Sequence, residues 1–347
     1  MTEPPRPLRV AFLALDPDSA SARVRVLDRL PGLARLGVAG HLVGWPRGAR
    51  KRRRLLSALG EEHAVVLHRL LLGESHAARL RRRVPVLVLD ADDAVHLRPS
   101  GRPGGPLLGA KLRATLDAVD AVACGNATLR DAFRSVHPRV RLLLPACPAQ
   151  ELAPRSPAAG PLRLVWTGSR STLPYLEAIG PALARLRDRV RLTVLADRSP
   201  RLPLPCAFTP WSLAAEERAL RAADVGLYPL PDDPWAAGKS GYKLYLYMHH
   251  GLVSVASPRG GSLEALAPPE AGLLAEGPAG WEQALARLSE DRKLLAHMSL
   301  RARRRSLALH GGALRERALA ALLRSLWRNG GGRAHPPQRP GASSTGR

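Results

Sequence analysis

Cysteine is scarce. Cys124, Cys147 and Cys206 are the only three, an odd number set far apart with no CxxC pair. That excludes a disulfide framework and a structural zinc site as the basis of the fold. Aromatic residues make up 4% of the chain and do not interleave with its basic clusters, which argues against a stacking platform for single-stranded nucleic acid. Long hydrophobic runs are missing too: none approaches the roughly 20 residues that cross a bilayer. No hydrophobic segment of signal-peptide length precedes Asp16, so the expected location is the cytoplasm. Lysine is the last rarity, with five against forty-eight arginines.

What is plentiful is positive charge, +24 net, which alone would suggest a nucleic-acid partner. Arginine, however, is abundant together with Ala, Gly and Pro, as in GC-rich coding sequences, so part of the excess is compositional bias. Two clusters stand out, residues 47–54 with 79–83, and residues 301–305. Such faces meet anionic lipid headgroups or polyanionic substrates as readily as DNA. A solvated helix surface accounts for them equally well. The expectation is no nucleic-acid partner, with an anionic membrane as a peripheral contact at the inner face. The 45% apolar content rules out global disorder, and 347 residues suggest two domains.

Short apolar runs alternate with longer helical patterns. Strands are expected at 8–15, 38–45, 64–68, 84–89, 121–124 and 140–144, with a loop at 16–24 and a helix over 25–36. This alternation indicates βαβ units and a parallel sheet. Prolines 145, 148, 154, 157 and 161 then crowd together and predict an interdomain linker. Beyond it the alternation restarts, with strands at 162–166, 191–195, 225–228 and 252–256. Helices are expected at 173–186, 214–222 and 242–250, and over 281–327 with a break at Gly311-Gly312. The expected domains are 1–150, 151–328 with closing helices, and a disordered Gly/Pro/Ser-rich tail at 329–347. Two α/β sheets joined by a linker predict two Rossmann-like domains facing a cleft.

In open α/β sheets ligands bind beyond the carboxyl ends of strands. The loop Thr167-Gly168-Ser169-Arg170-Ser171-Thr172 offers hydroxyls, a guanidinium and a glycine before a helix start; an ordinary capped turn would look the same. The richest segment runs from Tyr228 to Gly251 and holds four of the five tyrosines and two of the five lysines. Ser240 is placed to cap a helix near Gly241, whose first amides, with Lys239 and Lys243, suit a diphosphate. Leu244, Tyr247 and Met248 read as a buried helical face. Gly260 and Gly261 free the backbone for a ligand or simply for a turn. Asp90-Ala-Asp92-Asp93 has the DxD spacing that can hold a divalent cation, yet no further ligand is paired with it, and a carboxylate lining the cleft is the better reading.

At these residues the sequence resembles GT-B-fold retaining glycosyltransferases, the large family labelled glycosyl transferases group 1. The likeness runs through LRLVWTGSRST, then PWSLAAEERALRAADVGLYPLPDDPWAAGKSGYKLYLYMHHGLVSVASPRGG and LEALAPPEAGLLAEG; it is looser in SASARVRVLDRLPGLARLG and LDADDAV. The resemblance implies hexosyl transfer from a nucleotide-diphosphate sugar to a glycan, lipid-linked or small-molecule acceptor. Configuration would be retained, with no tightly held metal and no cofactor beyond the co-substrate. It implies a donor site of Gly168, Ser169, Arg170, Trp211, Lys239, Gly241, Lys243, Gly260 and Gly261, with Trp211 at the base. Asp92 and Asp93 would be the catalytic cleft residues, and Ser19, Ser21 and Arg23 would face the acceptor. One departure matters. The family's Glu-x₇-Glu pair, whose second acid binds the ribose hydroxyls, is replaced by Gly238 and Leu246. Subgroups with Lys-x-Gly-x-Lys lose the first acid; loss of the second raises the alternative of a non-catalytic binding protein.

Overall fold

The computed structural model describes residues 7–98, 102–146, 159–267, 271–310 and 312–330. Strands β1 (Leu8–Ala14), β2 (Val38–Gly44), β3 (Ala64–His68), β4 (Val86–Ala91), β5 (Ala121–Cys124) and β6 (Val140–Leu142) form one parallel sheet in the order β2-β1-β3-β4-β5-β6. Strands β7 (Leu162–Thr167), β8 (Val190–Ala196), β9 (Cys206–Pro210), β10 (Val225–Tyr228), β11 (Val253–Ala256) and β12 (Gly272–Leu274) form a second, ordered β12-β11-β10-β7-β8-β9. All pairings within both sheets are parallel. Parallel strands are covered on both faces, so they read as continuous apolar runs; β3, AVVLH, is buried at every position.

Several expected boundaries move. The stretch read as a loop is a helix, Ala20–Arg25, capped by Ser19, whose side chain accepts from the Ala22 N–H. The expected helix over 173–186 is two, Leu173–Ala178 and Gly180–Arg185, because Pro181 lacks the N–H that would continue the first. Strand β4 runs on to Ala91, so Asp90 lies inside the sheet rather than in the loop beyond it. Strands β9 and β12 were not expected. The first is an exposed edge ending in Pro210, the second only three residues long.

Three helices close the chain. Gly277–Glu290 covers the second sheet, and Arg292–His310 packs on the Tyr242–His249 helix. The last, Gly312–Gly330, returns to the first sheet, where Leu319, Ala320 and Leu323 join Val10 and Phe12 in one core. Each of the larger side chains among these, Val, Leu or Phe, contributes about 1.5–3 kcal/mol on burial. Asn329 and Gly330 thus end a helix; the remainder of the expected tail, and the linker residues 147–158, lie outside the described residues. No helix among the described residues is long and apolar enough to cross a membrane.

Candidate functional site

The carboxyl ends of the two sheets meet across a cleft. A cavity of about 460 Å³ there is lined from the first lobe by Ser21, Arg23, Arg69, Asp92 and Asp93. The second lobe supplies Gly168, Ser169, Trp211, Glu216, Lys239, the Ser240–Lys243 stretch and Leu246. Residues far apart in sequence are therefore neighbours here, and both scarce lysines are among them. Three expected residues of the second half stand outside. Arg170 is exposed on the loop beyond, while Gly260 and Gly261 sit behind the wall. The Gly261 N–H donates to the Lys239 carbonyl at 2.8 Å, and a Cβ on Gly260 would lie 2.8 Å from that same oxygen. These glycines support the lysine loop by close backbone contact. On the first lobe, Ser19 is spent on its cap and lines an adjoining groove.

The lysine loop is shaped locally. Gly241 adopts φ +75°, a conformation that glycine alone reaches without strain, and from it the Tyr242–His249 helix begins. Gly241 therefore holds the cap position expected of Ser240, with no side-chain cap. Lys243 stands one residue into the helix with its Nζ 5.2 Å from the Trp166 ring centroid. Burial lowers its pKa to about 8, Lys239 adds to the fall, and Glu216 opposes it. Lys239 sits over Trp235 at 5.7 Å and reaches the Asp93 carboxylate of the other lobe at 3.9 Å. The hydroxyls of the Ser169–Thr172 turn bond chiefly within it, Thr172 Oγ1 donating to the Ser169 carbonyl at 3.1 Å. The turn reading of that loop accounts for them.

The first lobe brings a charge network that sequence reasoning missed. Arg25 grips Asp90 with two donors, one of them Nε at 2.8 Å. His68 Nδ1 lies 3.0 Å from Asp90 Oδ2 and its Nε2 3.0 Å from Ser21 Oγ. Ser21 in turn donates to Asp92 Oδ2 at 2.5 Å. Both oxygens of Asp90 are thus engaged by protein groups. Asp92 Oδ1 is buried and accepts no hydrogen bond, its closest charged neighbour being Arg69 Nε at 3.6 Å. Burial raises the Asp93 pKa, against the pull of Lys239 and of Arg69, whose Nη2 lies 3.0 Å away. No local motif marks Arg25, His68 or Arg69; only the strand ends at β3 and β4 point to them.

The lobes also touch behind the cavity. Asn126 Nδ2 donates to the carbonyls of Ala237 at 2.9 Å and Lys239 at 3.0 Å. Gly238 fits so closely that a Cβ on it would stand 2.6 Å from the Ala94 Cβ. This gives the physical reason for glycine where the related pattern has an acid: in this closed arrangement no side chain fits. Gly238→Ala is expected to force the contact apart at a cost of about 1–3 kcal/mol. Denaturant unfolding would show it, and an unchanged midpoint would mean the lobes yield freely.

The basic clusters are partly spent inside the fold. Arg81 bonds Asp120 at 2.7 Å and Arg305 the Glu264 carbonyl at 2.8 Å, while Lys51, Arg53 and Arg54 stay exposed.

No protein-family model matches the chain, and no curated protein is similar enough to register. Solved structures do match. A sucrose-phosphate synthase from Thermosynechococcus elongatus superposes with TM-score 0.72 at 14% identity, covering 92% of this chain and 99% of that one. Anabaena Alr3699/HepE in complex with UDP-glucose gives 0.71 at 12% identity, over 91% and 99%. WaaG, a glycosyltransferase involved in lipopolysaccharide biosynthesis, gives 0.67 at 16%, over 90% and 99%. At these identities the likeness establishes the fold, which is the two-lobed GT-B arrangement.

Proposed function

We propose that the chain is a glycosyltransferase that moves a hexosyl group from a nucleotide-diphosphate sugar to an acceptor in the cleft, with retained configuration. The observation that carries this reading is the meeting of Lys239, Lys243 and the Ser240–Lys243 helix start in one cavity, opposite Asp92 and Asp93. A leaving diphosphate gathers negative charge as the glycosidic bond breaks. Two ammonium groups held in a partly desolvated site stabilise that charge more than water does, without a bound metal. The UDP-glucose held by the fold neighbour HepE supports the donor class. Asp92 and Asp93, both on the cavity lining, accept from hydroxyls of the transferred sugar or the acceptor.

The acceptor reading rests on an adjoining groove of about 710 Å³, which shares Arg69 with the donor cavity. Trp45 and Trp235 line it with Arg52 and Lys111. Indole faces suit sugar rings, and the two cations suit an acceptor that carries negative charge, such as a glycan or a lipid-linked saccharide. The exposed cations at Lys51, Arg53 and Arg54 lie on the same lobe and support a peripheral contact with an anionic membrane from the cytoplasmic side.

A thermal-shift screen of UDP, GDP, ADP and their sugars tests the donor class, followed by product analysis with the stabilising sugar nucleotide. A rise in Tm with one nucleoside diphosphate, and transfer or slow hydrolysis of its sugar in the presence of EDTA, is the expected result. Binding without turnover would make the chain a binding module, the alternative that the loss of the acid at Leu246 raises. No stabilisation by any of them would end the nucleotide-sugar assignment.

A further inference from the structure

Glu216 is a buried acid that nothing in the fold requires. It stands on the Leu213–Ala222 helix, 8% exposed, on the wall of the donor cavity. Its Oε1 accepts from Thr167 Oγ1 at 2.7 Å and from Trp211 Nε1 at 3.1 Å. Among the described residues both of its side-chain hydrogen bonds fall on Oε1 and none on Oε2, and the residue lines the cavity. A glutamine would satisfy Thr167 and Trp211 without the cost of burying a charge, which is severe unless a partner compensates it. Lys243 offsets part of that cost, and the second oxygen is left to accept from a ligand in the cavity.

The neighbours of Glu216 say what that use is. Trp211, bonded to it, and Lys243, whose ammonium it stabilises electrostatically, both line the cavity with it. Leu246 lines the same wall and offers no polar side-chain atom. A nucleoside diphosphate with its phosphates on Lys239 and Lys243 and its base toward Trp211 has its pentose beside Glu216. Hydroxyls on adjacent pentose carbons present two O–H donors in one direction, and an uncommitted carboxylate oxygen has two lone pairs to receive them. We propose that Glu216 binds the 2′- and 3′-hydroxyls of the donor nucleotide, supplying from a different helix the acid that position 246 lacks. This rests on the nucleotide-sugar reading above.

Calorimetric titration of the full chain with UDP, ADP and GDP, each paired with its 2′-deoxy counterpart, tests it. A hydrogen bond to a charged group contributes about 1.5–3 kcal/mol, so the wild type is expected to prefer the ribonucleotide by about tenfold or more. In Glu216→Gln, which keeps an acceptor for Thr167 and Trp211, that ratio is expected to fall at least threefold with Tm little changed. In Glu216→Ala it is expected to approach one. A wild type indifferent to the 2′-hydroxyl, or a ratio that survives Glu216→Gln, overturns the assignment while leaving the nucleotide-sugar reading intact. Failure of the wild type to bind any of the six overturns both. A merely structural Glu216 would weaken both members of each pair alike.

Discussion

Lys243→Met is expected to stabilise the unliganded protein and to cripple its hold on nucleoside diphosphates. Both effects come from one desolvated ammonium. Burial lowers the Lys243 pKa to about 8, against about 10.4 for a free lysine. Below pH 8 the folded chain carries the whole cost of that buried charge. Between the two values the unfolded chain binds more protons than the folded one, so stability rises with pH across this window. Lys243 is only half-buried, and this partial exposure reduces the cost, leaving about 1–2 kcal/mol to be recovered by methionine. On the proposed reading the same charge meets phosphate in the bound state, where a charge-assisted contact contributes about 1.5–3 kcal/mol. Affinity for UDP or its equivalent should therefore fall roughly 10–100-fold in the variant, while affinity for the uncharged nucleoside stays put. In the wild type, diphosphate binding should weaken above pH 8 as the ammonium is lost, approaching about tenfold per pH unit. Chemical denaturation of the apo protein and calorimetry over pH 6.5–9.5 measure the two sides. Equal losses for nucleoside and diphosphate would place Lys243 away from the phosphates.

Some of this was open to reading in the sequence, for physical reasons. The inner strands β3, β4 and β5 announce themselves because parallel strands buried on both faces read as nearly continuous apolar runs. Strand β9 does not: Ala207 and Phe208 on it are exposed, and Pro210 suits an edge, where a ladder N–H can be spared. The lysines drew attention because lysine is rare here, and the fold did carry both into the cleft. Glu216 gave no such sign. It sits beside Glu217 in a charged helical stretch, and two adjacent acids in a helix read as a solvated face. A turn of about 100° per residue separates them. Glu217 stays partly exposed, pairing with Arg221 at 2.6 Å and His250 at 2.8 Å, while Glu216 looks into the cavity. Arg25 was equally silent, since its partner Asp90 is sixty-five residues away and only the parallel alignment of β1, β3 and β4 brings the network together.

That network should dominate stability. Burial alone would depress the Arg25 pKa, but Asp90 outweighs it and holds the guanidinium firmly charged. Burial alone would likewise raise Asp90, and Arg25, with help from His68, pulls it well below the usual carboxylate range. A second buried guanidinium, Arg315 of the closing helix, donates to the Leu143 carbonyl at 2.8 Å and has its pKa pushed down to about 9 by burial and then by Arg25. Arg25→Met would leave Asp90 buried with His68 as its remaining close partner, and breaking such a pair costs about 3–5 kcal/mol. The loss should be visible as a lower denaturant midpoint with an unchanged slope. Because the wild-type Asp90 pKa is depressed, its contribution is present above the unfolded value near 3.9 and fades as pH falls below it; the variant should lose this acid-side dependence and become less stable chiefly at neutral pH. Arg25→Met combined with Asp90→Asn removes both charges and should recover most of the loss, since the penalty lies in the orphaned carboxylate rather than in the missing attraction. Ser21 and Asp92, which that network orders through His68, should then lose their fixed geometry, so a restored midpoint accompanied by a reduced rate of the proposed sugar transfer is the combined result expected. Additive destabilisation in the double variant would show instead that Arg25 and Asp90 act on stability independently.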